Sequence, residues 1–245
     1  MPDLSLVAWL VLALGAVVIG LSKAALPGAG TVAVVLFASV LPAKESTGTI
    51  LLLLIVGDAF ALVSYRRHAD GRTIVRMAPA VVLGLVAGAV FLVVATDALV
   101  RVTIGVLLLL VVAVTLWRRR SPATVASGAV AAGAYGGLAG FTTMVANAAG
   151  PVMSMYFIAA RFPVQAFLGT SAWFFAVVNV AKLPFSFGLG LITPQGALTS
   201  LLLVPVVLAA AFVGRAFARR VDQRLFDRIV IVLTIIGSVT LLIPR

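Results

Sequence analysis

Long apolar runs constrain this chain more than any other feature of its sequence. Ten of them follow one another, and the polar intervals between them are shorter than about 15 residues, so no stretch remains for a soluble globular domain. A run of about 20 apolar residues is long enough to cross the hydrocarbon core of a bilayer as a helix. With 63% hydrophobic and only 10% charged residues, the chain is predicted to be an all-α polytopic membrane protein.

The runs divide into two groups of five, which we interpret as two transmembrane repeats, 1–120 and 121–245. The run at the N-terminus has no basic residues before it, so it is expected to be the first membrane helix and not a removed signal. The second segment of each group is shorter than the ~30 Å hydrocarbon core, so it is expected to be a part-span helix or a helix that enters from the break at mid-depth. The sequence leaves open whether these two segments cross fully or fold back. The ten segments cover 4–22, 29–42, 47–65, 74–96, 98–117, 124–143, 149–160, 165–187, 195–214 and 225–243.

The two groups resemble copies of each other. A shift of 121 residues superposes proline on proline, a Gly-Thr pair on a second one, and aspartate on asparagine: Pro42 on Pro163, Gly48-Thr49 on Gly169-Thr170, and Asp58 on Asn179. Five crossings is an odd number, so the second copy would be inverted relative to the first. Inverted repeats whose broken helices meet at the membrane midplane are the plan of many secondary transporters.

The distribution of basic residues predicts the orientation. If every segment crosses once and the N-terminus lies outside, most of the 18 lysines and arginines face the cytoplasm, including Arg66–Arg76 and Arg118–Arg120. This topology is typical of a multi-pass protein of a bacterial-type inner membrane, and it explains the net charge of +11 without nucleic acid. Because the chain has no cysteine, disulfides and thiolate metal sites are excluded. We expect no cofactor, metal or catalytic group, and the sequence leaves an oligomer open.

Two breaks, Gly20–Gly30 and Gly140–Pro151, interrupt the apolar runs with glycine, proline and polar residues. Backbone groups freed inside a bilayer must be buried in protein or line a cavity, so the two breaks are predicted to form one site. The polar side chains of the second break would donate to an anion at a helix N-terminus, or would only satisfy freed backbone groups. Tyr156 and Trp173 would either line this site or serve as packing residues or interface anchors. The candidate substrate-binding residues are Lys23, Gly28, Gly30, Thr142, Thr143, Asn147, Gly150, Asn179 and Lys182.

Three charged residues stand within apolar segments or beside a break. A buried lysine is costly, so Lys23 and Lys182 are expected to face a cavity or a partner, although Lys182 is also close enough to its helix end to snorkel to the interface. Asp58 is a candidate for carrying a coupling proton; alternatively, it is a structural acid that pairs with Lys23 or caps freed amides at the break. Asn179 and Lys182 are three residues apart, so they share a helix face and would offer a donor and a charge to one oxyanion.

Several of these stretches, Ser22–Gly30, Gly140–Pro151, Phe167–Thr170 and Phe174–Pro184, closely resemble the sulfite exporter TauE/SafE family of membrane permeases. The resemblance spans nearly the whole chain. It implies transport of small anions, typically sulfite, organosulfonates and related sulfur compounds. It also implies that the central site is surrounded by Lys23, Asp58, Asn147, Asn179 and Lys182.

The sequence and the resemblance together predict a secondary transporter that exports sulfite or a sulfonate by alternating access, with Asp58 as the candidate for proton coupling. Its partners would be the small anion, the lipid bilayer and a coupling proton. A passive anion channel is an alternative, because it would use the same basic site without a titratable partner. An intramembrane enzyme is disfavoured, because the seven acidic residues are scattered singly along the chain.

Overall fold

The computed structural model describes residues 4–24, 29–120, 128–217 and 223–243. Within these ranges the chain forms ten α-helices and no strand, which confirms the predicted all-α class. A single 3-10 turn, Arg66–His68, joins the third helix to the fourth. The helices are α1 (Leu6–Ala24), α2 (Gly30–Val40), α3 (Ala43–Tyr65), α4 (Gly71–Val94), α5 (Asp97–Arg120), α6 (Ala129–Ala146), α7 (Ala149–Ala159), α8 (Val164–Gly188), α9 (Pro194–Phe217) and α10 (Gln223–Leu242).

Seven of the described helices are long and apolar enough to cross a membrane: α1, α3, α4, α5, α6, α8 and α9. The short helices α2 and α7 have 11 residues each. At 1.5 Å per residue each is about 16 Å long, roughly half of the ~30 Å hydrocarbon core, so neither can cross it alone. The chain is therefore a polytopic membrane protein with two part-length helices, one after each break.

Local capping explains where three of the helices begin. Pro42 and Pro163 directly precede α3 and α8, and a proline there needs no hydrogen-bond partner for a backbone N–H. The first two N–H groups of α3 donate to the Asp97 carboxylate at 3.1 and 2.9 Å. Asp70 caps α4 and accepts a 2.8 Å hydrogen bond from the Thr73 hydroxyl. That bond, with those from the backbone N–H groups of the first turn, holds the pKa of Asp70 below its usual value.

The two groups of five helices pack into each other instead of standing side by side. The first helix of each group packs against the fourth helix of the other, so that α1 lies on α9 and α6 lies on α4. The third helices, α3 and α8, pack together, as do the fifth helices, α5 and α10. Corresponding helices thus make corresponding contacts, which a two-fold relation between repeats would produce. The inverted relation itself stays a prediction.

Glycines allow the closest of these helix pairs to approach backbone to backbone. A Cβ added to Gly140 of α6 would collide with the Val81 carbonyl oxygen of α4, and one on Gly84 of α4 would collide with the Gly137 carbonyl oxygen of α6. Without a hydrophobic drive between helices in lipid, such small-residue contacts supply much of the packing energy. The α4–α6 contact therefore depends on these glycines.

Replacing Gly140 with alanine is expected to lower the free energy of unfolding by about 1–3 kcal/mol, because the added methyl group forces two backbones apart. Gly133→Ala is the matched control, since it lies on the same helix and nothing is within 4 Å of its added Cβ. Thermal unfolding in detergent should show a lower midpoint for Gly140→Ala and an unchanged or slightly higher one for Gly133→Ala. Equal midpoints for the two variants would contradict the packing described above.

Near its start, each of the helices α3 and α8 packs closely against the chain at the end of the other helix. A Cβ on Gly48 would collide with the Leu191 carbonyl oxygen, and a Cβ on Gly169 would lie 2.8 Å from the Tyr65 carbonyl oxygen. These two glycines are the pair that the shift of 121 residues superposes. The central helices are thus held at both ends by equivalent contacts.

Candidate functional site

An ion pair joins the C-terminal end of α1 to the middle of α3. Lys23 lies in the last turn of α1, and its Nζ is 2.5 Å from Oδ1 of Asp58. The side chains are 11% and 2% exposed, so neither charge is well solvated, and each compensates the other. Gly57 leaves room for the stem of the lysine, whose Nζ also lies 4.6 Å from the ring centroid of Phe175.

Asp58 also contacts the residue that the 121-residue shift superposes on it. Nδ2 of Asn179 donates to Oδ2 of Asp58 at 2.6 Å, where α8 packs against α3. Asn179 is 1% exposed, and its Oδ1 has no hydrogen-bond partner among the described residues. The two central helices therefore meet through the carboxylate of Asp58 and the amide of Asn179, and the amide oxygen has no hydrogen-bond partner in the described part of the chain.

Lys182 lies one turn beyond Asn179 on α8 and is fully buried. Its Nζ donates to Oδ1 of Asn147 at 2.5 Å and is 3.3 Å from Oγ1 of Thr143. A side chain with no exposed surface does not reach the membrane interface, so the snorkelling alternative is wrong. No carboxylate lies within 4 Å of this lysine in the described part of the chain.

Asn147 terminates α6 and ties three helices together at the second break. Its backbone adopts the left-handed conformation, with φ 50° and ψ 29°, which asparagine tolerates better than most residues. Its Oδ1 accepts from Lys182 of α8, and its Nδ2 donates to the Thr47 carbonyl of α3 at 3.0 Å. The helix α7 then begins at Ala149, with Pro151 in its first turn.

A cavity of about 80 Å³ lies between these groups. A single water needs roughly 10–15 Å³ by the same measure, so the space admits a molecule of several heavy atoms. Both halves contribute to its polar lining, and the N-terminal turns of α2 and α7 border it through Gly30 and Gly150. The side chains that carry most of its polarity are Lys23, Asp58, Thr143, Asn147, Ser171 and Asn179.

The structure places most of the predicted site residues at this cavity. Lys182 does not line the cavity but stands directly behind Asn147 and Thr143. Thr142 lies away from the cavity and donates to the Leu138 carbonyl at 2.8 Å, so its hydroxyl satisfies its own helix. Gly28 lies outside the described residues. The residues at the cavity wall are Lys23, Gly30, Asp58, Thr143, Asn147, Gly150 and Asn179.

The two aromatic candidates do not line the cavity. Trp173 is 40% exposed, and its indole N–H donates to the Arg66 carbonyl at 3.3 Å. Tyr156 packs in a cluster with Tyr135 and Phe157. Tyr156 is therefore a packing residue, and the exposed Trp173 fits the other alternative, an interface anchor.

Other lining residues were missed by the sequence reasoning. Ser171 lies two turns before Asn179 on α8, so helical spacing from Asn179 would have found it. Tyr65 also lines the cavity, and its hydroxyl donates to the Ala24 carbonyl at the broken end of α1, at 2.7 Å. No sequence pattern would have placed Phe175 at the cavity, because an aromatic residue in an apolar helix faces lipid or protein equally well.

The fold and the interior polar site define a polytopic helical membrane protein of the transporter class. The family model of the sulfite exporter TauE/SafE matches residues 12–241, nearly the whole chain. The protein belongs to this family. No curated protein and no solved structure matches the chain.

Proposed function

We propose that this protein is a secondary transporter that carries sulfite or a small organosulfonate out of the cell by alternating access across a bacterial-type inner membrane. The observation that carries the proposal is the cavity between the two halves, with Lys23 at its wall and Lys182 immediately behind it. Buried cations beside a cavity of this size suit a small anion. The family of the chain supports the sulfur oxyanion as its substrate.

Hydrogen-bond donors and helix termini would supply the remaining contacts to an oxyanion. The amide of Asn147 and the hydroxyls of Thr143 and Ser171 border the cavity. The N-terminus of α7 also borders it through Gly150, and a helix N-terminus favours negative charge. These groups would replace part of the hydration shell that sulfite loses on entering the membrane.

The packing of the two halves supports alternating access. We propose that 1–120 and 121–245 are inverted repeats, because corresponding helices make corresponding contacts and the central helices meet through Asp58 and Asn179. The equivalent close contacts at Gly48 and Gly169 would separate in turn, and each separation would expose the cavity to one side of the membrane. Asp58 is our candidate for proton coupling, since it is the carboxylate that lines the cavity in the described part of the chain.

Proteoliposomes containing the purified protein should take up labelled sulfite in a saturable manner. Preloading the vesicles with unlabelled sulfite is expected to raise the initial rate about threefold or more, because the loaded site returns with substrate while the empty one must reorient alone. Protein-free liposomes are the control for passive leakage. Flux that rises linearly with sulfite concentration and does not change with preloading would favour a channel. No flux with any anion would overturn the proposal.

A further inference from the structure

One hydroxyl at the cavity wall has no partner in the protein. Ser171 of α8 lines the cavity and is partly buried, and its hydroxyl makes no hydrogen bond within the described part of the chain. A serine inside a membrane helix commonly donates back to the preceding turn, as Ser22 does to the Ile19 carbonyl at 2.9 Å. The Ser171 hydroxyl is instead available to a molecule in the cavity.

The other hydroxyls along the same wall are already engaged. The Tyr65 hydroxyl donates to a backbone carbonyl of α1 at 2.7 Å. Oγ1 of Thr31 lies 3.0 Å from Oγ1 of Thr234, and Oγ1 of Thr143 accepts from Lys182. Among the described residues, Ser171 is therefore the lining hydroxyl that makes no contact with another polar group of the protein.

The ammonium group of Lys23 reaches the cavity near this hydroxyl. Ser171 and Phe175 are four residues apart, so they share a face of α8 and lie about 6 Å apart along its axis. Nζ of Lys23 lies 4.6 Å from the ring centroid of Phe175. The side chain of Lys23 is 11% exposed and that of Asp58 is 2% exposed, so the ion pair presents its positive end to the cavity. An ammonium group has three N–H donors, and Asp58 uses one of them.

We infer that Ser171 is a substrate-binding residue, and that an oxyanion in the cavity accepts from its hydroxyl with one oxygen and from the Lys23 ammonium group with another. The inference rests on the proposed function and adds a contact from α8 to its site. An anion with two or more oxygens on one atom is the ligand class that fits two such donors. Because the donors belong to different halves of the chain, the bound anion connects α1 with α8.

Ser171→Ala should raise the half-saturating concentration of sulfite for uptake into proteoliposomes about tenfold or more, since it removes a hydrogen bond to a charged ligand. Without ligand, the variant should unfold in detergent at the wild-type midpoint or slightly above it, because the hydroxyl has no protein partner to lose. A loss of affinity without a loss of stability is the result expected of a substrate contact. A clearly lower midpoint of the unliganded variant would assign the hydroxyl a structural role and overturn the inference.

Two further variants test the hydroxyl against its volume and its position. Ser171→Cys fills a similar space but has only a weak S–H donor, so it should lose affinity as Ser171→Ala does. Ser154→Ala is the matched control: Ser154 of α7 is also partly buried and makes no hydrogen bond in the described part of the chain, but it does not line the cavity. It should keep the wild-type half-saturating concentration. Wild-type affinity in Ser171→Cys, or an equal loss in Ser154→Ala, would contradict the inference.

The outcomes distinguish this inference from the function on which it rests. Saturable sulfite uptake by the wild type, with the same half-saturating concentration in Ser171→Ala, would overturn the inference and leave the transporter standing. Absence of sulfite uptake would overturn the proposed function itself. The anion contact is then tested alone by the rise of the unfolding midpoint in detergent on addition of sulfite or methanesulfonate. A smaller rise in Ser171→Ala than in the wild type would support the contact, and equal rises or none would overturn it.

Discussion

Replacing Lys182 with methionine is expected to reduce sulfite flux in proteoliposomes by about 100-fold or more, because it removes a buried, hydrogen-bonded amine whose positive charge would stabilise a bound anion. Lys182 is fully buried, and its Nζ donates to side-chain oxygens of Asn147 and Thr143, so methionine leaves these two oxygens without that donor. Flux should be measured from initial rates of labelled sulfite uptake at equal amounts of reconstituted protein. Wild-type flux in a correctly folded Lys182→Met variant would contradict the role that we assign to this lysine.

Two further variants separate charge from hydrogen bonding. Lys182→Gln can still donate to Asn147 Oδ1 but carries no charge, so it should transport as poorly as the methionine variant. Recovery of flux in Lys182→Gln would mean that the lysine only holds the end of α6 in place. Lys44→Met is the control for removing a lysine elsewhere, because among the described residues Lys44 hydrogen-bonds through its backbone N–H, to Asp97, and not through its side chain. It should transport normally.

The second large effect concerns the Lys23–Asp58 pair. Lys23→Met or Asp58→Leu alone should destabilise the protein by about 3–5 kcal/mol, because each leaves the opposite charge buried and unpaired. The double variant should regain most of this stability, since apolar replacement of a buried ion pair is often nearly neutral. We nevertheless expect the double variant to show no sulfite flux, because the pair lines the cavity.

Thermal or chemical unfolding in detergent and flux in proteoliposomes must be measured on the same preparations. A double variant that is stable but inactive would support a functional role for the pair. A double variant that is stable and transports sulfite would identify Asp58 as a structural acid, which was the alternative interpretation of this residue. The flux of the stable double variant therefore decides whether Asp58 has a functional role or is a structural acid.

Hydropathy and charge predicted the helices and the interior charged residues because both act locally along the chain. An apolar run must become a helix in lipid, whatever its neighbours are, since its backbone can be satisfied in no other way. The cost of a buried charge likewise marks Lys23, Asp58 and Lys182 as interior groups before any partner is known. The breaks and the short helices after them followed from glycine, proline and segment length.

The partners of these groups depend on how helices rotate and pack, and no local rule determines that. Lys182 turns toward Asn147 of α6, although it shares a face with Asn179. The rotation of α8 also directs Trp173 to Arg66 at the end of α3, away from the cavity wall. Thr142 and Thr143 are neighbours in sequence, yet only Thr143 reaches the cavity, because adjacent residues point about 100° apart around a helix.

The contact between Asp58 and Asn179 has a kinetic consequence. If the two repeats exchange roles as the cavity turns from one side to the other, a carboxylate stands where an amide stood, and the two open states cannot have equal energies. The empty carrier would then rest mainly in one orientation, and half-saturating sulfite concentrations would differ between the two faces of the membrane. If the two halves are inverted repeats, the difference between Asp58 and Asn179 alone would give a symmetric scaffold different affinities at the two faces of the membrane.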